Sequence, residues 1–227
     1  MPKTATVERM TTGIPGLDKL VDGGLVKGST TLVTGGAGTG KTIFCAQFIW
    51  EGLQKGENCM FLTLEERPED IIADVAAFGW DLESYRKRGK LVLEYRDPFE
   101  VTDIVAPLID KIKANRIQRV AIDSTSTLGL YFSNPFEVRK QLFKLLMALK
   151  NTGATAVLTA EVADEGTKLS RFGVEEFIVD GVIMLHYLGI GESVYNSLQV
   201  RKMRQTPHAK DVFPMEIGNK GITIKKA

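Results

Sequence analysis

Six short apolar runs recur along the chain: Thr30 to Thr34, Asn58 to Leu64, Leu91 to Leu93, Arg119 to Asp123, Thr155 to Thr159 and Gly181 to Tyr187. Runs of this length, rich in β-branched residues, predict buried strands. The segments between them carry helical spacing. About Lys41 to Lys55 predicts a helix closed by Gly56 at its C′ position. Pro68 suits N1 of a helix reaching about Phe78, with Glu69 and Asp70 at its positive end. Val101, Ile104, Val105, Leu108, Ile109 and Ile112 form one continuous stripe at i, i+3, i+4, i+7, i+8 and i+11. Asn134, Pro135 and Glu137 supply an N-cap, a proline at N1 and an acid at N3. Val138, Leu142, Leu145, Leu146 and Leu149 then make the buried face of that helix.

Strand and helix alternate, so the chain predicts an α/β fold with a mostly parallel sheet and helices on both faces. The last forty residues change character. Tyr195 to Arg201, Asp211 to Ile217 and Ile222 to Lys225 predict short antiparallel strands, with turns at Thr206-Pro207 and Gly218-Asn219. No internal repeat or linker divides the pattern, and 227 residues are expected to form one domain.

Composition narrows the function classes. Lys plus Arg number 29 and Asp plus Glu 28, a formal net charge of +1, which argues against a uniformly basic nucleic-acid or membrane binder. Met1 to Val7 lacks the apolar core of a signal peptide, and no apolar run approaches the roughly 18 residues of a membrane helix. A cytoplasmic protein is expected, not membrane-bound. Cys45 and Cys59 fit no metal or redox spacing and predict two buried thiols. The balanced charge is unevenly spread. Residues 200–227 hold seven basic and two acidic residues, a local +5 that leaves −4 on the rest.

Gly35-Gly36-Ala37-Gly38-Thr39-Gly40-Lys41-Thr42 matches G-x-x-x-x-G-K-[ST] in full, with a strand before it and a helix after it. Glycines let successive N–H groups turn inward around a phosphate, and the helix adds its positive N-terminus. Lys41 can reach the β- and γ-phosphates of a nucleotide, and the Thr42 hydroxyl is placed for Mg²⁺. Lys41 stands where the third glycine of G-x-G-x-x-G is needed, which disfavours a dinucleotide site. Asp123, ending an apolar strand, could hold Mg²⁺ through water. Glu65 and Glu66 close the second strand and could orient or deprotonate an attacking water. Strand neighbours point to opposite sides, so one of the two is expected to act directly. The same charge-rich stretch reads equally as the start of the Pro68 helix. Lys202 and Arg204, two apart on a strand, share a face and suit a transferring phosphoryl group. A solvated basic strand accounts for them as well, and His208 follows nearby.

Together these residues resemble the KaiC-like branch of the RecA superfamily of P-loop ATPases, from about Val7 to Lys225. The resemblance includes Thr12-Gly13-Ile14-Pro15-Gly16-Leu17-Asp18, the Glu65-Glu66 pair with Pro68, and Ile122-Asp123-Ser124. It extends to Gly173-Val174-Glu175-Glu176-Phe177 with Asp180, and to Lys202-x-Arg204-x-x-x-His208. It implies a RecA-like sheet and a homohexameric ring with ATP and Mg²⁺ held between subunits. Gly35 to Thr42 and Asp123 would bind from one subunit, Glu65 and Glu66 would be its catalytic carboxylates, and Lys202, Arg204 and His208 would come from the neighbour. Slow ATP hydrolysis would then set ring assembly or the binding of a protein partner. Family members with two tandem domains carry phosphorylated hydroxyl residues near the place held here by Glu176 and Phe177. A kinase reading therefore needs other acceptors. A DNA-acting protein is the other alternative, its candidate contact the loop from Glu161 to Gly173 with Lys168, Arg171 and Phe172. That loop lacks the net positive charge of a phosphate-tracking surface.

Overall fold

The computed structural model describes residues 7–97, 104–130, 134–162, 170–173, 175–190 and 193–225. A two-stranded ribbon, β1 (Arg9–Met10) with β2 (Leu25–Val26), brackets a short helix α1 (Leu17–Leu20). The core then alternates β3 (Thr30–Gly35), α2 (Lys41–Gln54), β4 (Cys59–Thr63), α3 (Pro68–Ala76), α4 (Leu82–Lys87) and β5 (Leu91–Tyr95). It continues with α5 (Val105–Ala114), β6 (Arg119–Asp123), a 3-10 turn at Thr125–Leu130, α6 (Pro135–Thr152) and β7 (Thr155–Glu161). The chain closes with α7 (Glu175–Ile178), β8 (Gly181–Ile190), β9 (Ser193–Met203), β10 (Val212–Gly218) and β11 (Gly221–Ile224).

All six apolar runs are strands of one nine-stranded sheet, ordered β11-β10-β9-β8-β3-β7-β6-β4-β5. The six from β8 to β5 are parallel, and β9, β10 and β11 add on antiparallel. Parallel pairing sends the carboxyl ends of β3, β4, β6 and β7 to one edge. Strand β9 turns back, so Met203 pairs with Gly181, level with Thr31 at the opposite edge.

One face of the sheet packs α2, α3 and the C-terminal strands into a core around Phe44, Phe48, Phe61 and Trp80. The other buries Val138, Leu142, Leu145, Leu146 and Leu149 of α6 with Leu108 and Ile112 of α5. The Asn134 side chain accepts from the Glu137 N–H at 2.9 Å, the expected cap of α6. Helix α5 begins at Val105, because Pro107 lacks an N–H and fits only a first turn. Val101 lies outside the described residues, as do Lys168 and the rest of 163–169 in the candidate DNA-contacting loop. Both cysteines are buried and free, and burial pushes the Cys59 thiol up to about 12. Among the described residues no helix is long and apolar enough to cross a membrane.

Two buried polar groups tie the outer elements to the core. Gln47 of α2 donates to the Gly13 carbonyl at 2.8 Å and the Ile222 carbonyl at 3.0 Å, and accepts from the Ile222 N–H at 2.7 Å. This joins the N-terminal segment and β11 to the helix that carries the glycine loop. Arg119, 1% exposed at the start of β6, pairs with Glu57. Its guanidinium also donates to the Thr11 carbonyl at 2.7 Å and the Phe48 carbonyl at 3.1 Å, and lies over the Phe48 ring. Replacing it strands a carboxylate and two carbonyls. Arg119→Leu is expected to cost about 3 kcal/mol of unfolding free energy, read from urea denaturation. An unchanged midpoint would mean that the network adds nothing net.

Candidate nucleotide site

The strand-to-helix turn from β3 to α2 builds the phosphate cradle. Gly38 and Gly40 both hold positive φ, +73° and +92°. At Gly40 a Cβ would also stand 2.7 Å from the Ile217 Cδ1 of β10, so the C-terminal hairpin seats the loop. The Thr39 hydroxyl donates to the Gly36 carbonyl at 2.9 Å and closes the loop on itself. Lys41 is buried, and its Nζ donates to the carbonyls of Gly35 at 3.1 Å and Gly36 at 2.7 Å. The ammonium thus stands inside the curve of the loop, and Thr42 follows in the first turn of α2.

A cleft of about 510 Å³ opens beside this turn. Lys41, Thr42, Glu65, Glu66 and Asp123 all line it. The sheet brings them together by register, since Thr63 pairs with Asp123 and β7 lies between β6 and β3. Asp123 is buried and accepts a hydrogen bond from the Thr159 hydroxyl of β7. Glu65 and Glu66 lie past the end of β4, so strand alternation does not separate them as expected. One hydroxyl shapes their turn: Thr63 Oγ1 accepts from the N–H of Glu65 at 3.3 Å and of Glu66 at 3.0 Å, and donates to the Glu66 carbonyl at 2.8 Å. The Ser124 hydroxyl donates to the Glu65 carboxylate.

Partial burial raises the Glu65 pKa above its ordinary value despite the Ser124 bond, and Asp123 and Glu161 add to the rise. Glu66 is raised by burial and then by Asp123, Asp74, Glu65 and Asp70. The cleft therefore concentrates negative charge around one buried ammonium. Such a site fits a triphosphate with a divalent cation. The inward N–H groups and Lys41 suit phosphate oxygens, while Thr42 and Asp123 offer oxygens to the metal.

Thr159 and Asp74 carry no role in the sequence reading, Ser124 enters it only beside Asp123, and Glu161 only as the start of the candidate DNA-contacting loop. Asp74 carries a local signal, because it shares the cleft-lining face of α3 with Ile71 and Val75 at i+3 and i+4 spacing. The other three reach the site only through the meeting of strand ends.

The basic strand lies elsewhere. Lys202 donates to the carbonyls of Glu176 at 2.8 Å and Val179 at 2.7 Å, and Arg204 lies 3.5 Å from Asp180. Both reach the segment of α7 and Asp180, but β9 ends at Met203 and Arg204 lies in the turn after it, so strand parity does not account for their common direction. Both sit toward the opposite ends of the strands from Lys41: Lys202 is level with Leu32 and Arg204 with the residue before Thr31, about 10 and 15 Å from Gly35 along β3 at roughly 3.3 Å per residue. His208 follows β9, with Nδ1 2.8 Å from the Ala209 carbonyl.

The raised pKa values carry a stability consequence. A carboxylate raised in the folded state binds its proton more tightly there than in the unfolded chain. Its contribution is fully present at low pH and is lost as pH rises through the raised value. At neutral pH the ionised Glu66 is thus a cost. Glu66→Gln is expected to raise the Tm at pH 7 and to leave it nearly unchanged at pH 4, measured by calorimetry without nucleotide. A fall at pH 7 would contradict this electrostatic picture.

The sequence model of a family described as "ATPase: KaiC" matches residues 10–227. The chain is 37% identical over 234 residues to the circadian clock protein KaiC3 of Synechocystis sp., covering 98% of this chain and 46% of that protein. It is 37% identical over 229 residues to the circadian clock oscillator protein KaiC of Synechococcus elongatus, covering 96% of this chain and 44% of that protein. The chain therefore spans under half the length of these curated relatives. A crystal structure of a KaiC-like protein from Pyrococcus horikoshii OT3 superposes with a TM-score of 0.89 at 40% identity, covering 97% of this chain and all of that one.

Proposed function

The chain belongs to the KaiC family of ATPases, and from that premise we propose that residues 1–227 form a single ATP-hydrolysing domain. It works as a homo-oligomeric ring, a hexamer, with ATP held between neighbouring subunits. One observation carries this reading: Lys41, Glu65, Glu66 and Asp123 share a cleft at the carboxyl ends of the parallel strands, while Lys202 and Arg204 lie toward their opposite ends. Cations so placed cannot serve their own subunit's phosphates. They can serve those of a neighbour stacked head to tail, and a head-to-tail contact closes into a ring where the rotation between copies divides a full turn.

Each group then has a role. The N–H groups of Gly36 to Thr42 and the Lys41 ammonium hold the β- and γ-phosphates. Thr42 and Asp123 hold Mg²⁺, which when bound neutralises charge on the phosphate oxygens. A carboxylate of the Glu65 and Glu66 pair takes a proton from the attacking water, and its raised pKa makes it a better base. Ser124 keeps Glu65 in place, and Thr159 orients Asp123. The neighbour's Arg204 and Lys202 meet the charge spreading over the transferring phosphoryl group, with His208 beside the bound nucleotide. Hydrolysis is slow, and because it depends on groups from two chains it requires assembly. The nucleotide state sets how the subunits meet and thereby ring assembly or the binding of a protein partner.

Two measurements test the reading. Glu66→Gln and Arg204→Ala rings are each expected to lose at least about tenfold in kcat while still binding ATP. A one-to-one mixture should recover about a quarter of wild-type turnover, because the damage then falls on different sites. No recovery in intact mixed rings would place both groups in one subunit's site. Turnover should also fall on the acid side, at a pH above the ordinary glutamate value of 4.5. A base must be ionised, and a raised pKa protonates it sooner on acidification. An acid limb at or below that value would remove the pair from the role of base.

A further inference from the structure

Asp180 joins α7 to β8, and its side chain is only 13% exposed. One carboxylate oxygen accepts from the Thr30 N–H at 3.0 Å and the Thr30 hydroxyl at 3.2 Å. The other accepts from Lys150 Nζ of α6 at 2.7 Å and faces the Arg204 guanidinium at 3.5 Å. The Asp180 carbonyl accepts from the Arg204 N–H at 2.9 Å, so the residue grips both ends of Arg204. Helix α7 and the turn after it hold Lys202 through the Glu176 and Val179 carbonyls. Burial pushes the Asp180 pKa up, but the Lys150 ammonium and the Thr30 N–H outweigh it and hold the carboxyl below its ordinary value.

The asymmetry of the shared oxygen is informative. Lys150 is close and half-buried, whereas Arg204 is 53% exposed and more distant. Lys150 therefore takes up most of the Asp180 charge. Arg204 keeps a fixed direction without surrendering its own charge, and its guanidinium stays available to an external anion. A fully neutralised arginine would make a poor phosphate ligand, and an unheld one would lose side-chain entropy on engaging. We propose that Asp180 is a positioning residue that aims Arg204 at the phosphates bound by the neighbouring subunit, with Lys150 balancing its grip. The inference rests on the trans role given to Arg204 above.

Asp180 also staples the start of β3, so the test needs readouts that a stability defect alone does not move. Asp180→Asn keeps the size and the Thr30 contacts but removes the charge. In rings of native mass, kcat should fall about tenfold while the KM for ATP changes by less than about twofold. Mixing Asp180→Asn with Glu66→Gln subunits should restore turnover, because the intact Asp180 and the intact Glu66 then meet at shared sites. Asp180→Glu should recover part of the rate. No recovery on mixing, with intact rings, would mean that Asp180 serves its own subunit and would overturn the proposal. Wild-type turnover by Asp180→Asn alongside an impaired Arg204→Ala would overturn it too, leaving the trans role standing. Normal turnover by Arg204→Ala would instead sink that trans role. Should Asp180→Asn fail to assemble, Lys150→Met tests the same point with Asp180 in place. Its unshared carboxylate should draw Arg204 back and lower kcat several-fold, and an unchanged rate would contradict the proposal.

Discussion

The parallel hydrogen-bond register running from β8 through β3, β7, β6 and β4 is the constraint on which the rest depends. Parallel strands all point one way, so every loop that leaves a carboxyl end emerges at the same edge. Lys41 follows β3, Glu65 and Glu66 follow β4, Asp123 ends β6 and Glu161 ends β7. None of these needs sequence proximity to the others. The antiparallel return of β9 is the necessary complement, because it carries Lys202, with Arg204 just past its end, back to the far ends of the parallel strands. The two ends of the parallel strands thus carry opposite chemistry, carboxylates at one and the pair of Lys202 and Arg204 at the other.

The site concentrates carboxylates against the preference of the fold. Glu65 and Glu66 are raised by burial and by Asp123 beside them, a cost that the folded chain tolerates at the cleft. The compensating order lies in neutral hydroxyls. Thr63 shapes the glutamate turn, Ser124 holds Glu65 and Thr159 holds Asp123. Away from the cleft, charge is handled by pairing: Arg119 with Glu57, and Asp180 with Lys150. The uneven charge of the sequence thus has a spatial meaning, with acids crowded at the nucleotide cleft and much of the C-terminal excess of cations carried by β9 and the segment after it.

Much of this was legible in the residues. The six strands and helices α2 and α6 followed from apolar runs, periodic faces and caps, since each is decided within a short window. The glycine loop was legible because its spacing has one mechanical purpose. The ribbon of β1 and β2 was not, because two-residue strands carry no period, and α4 was missed despite the Asp81 side chain capping the Ser84 N–H. Strand alternation misjudged Glu65 and Glu66 because Thr63 ends the strand before them. Thr159 and Glu161 could not be assigned from local spacing, since only the pairing of β6, β7 and β3 brings them to the cleft. Lys202 and Arg204 were legible as a basic pair, while Arg204 lies past the end of β9 where parity no longer applies, and Asp180 as its partner needed the fold.

The central claim is that a complete site requires two copies of the chain. The rate per chain, followed across a dilution series with the mass measured at each concentration, tests it most directly. ATP turnover should disappear in step with loss of the assembled species, while isolated subunits still bind nucleotide. A monomer that hydrolyses ATP at the undiluted rate would contradict the account.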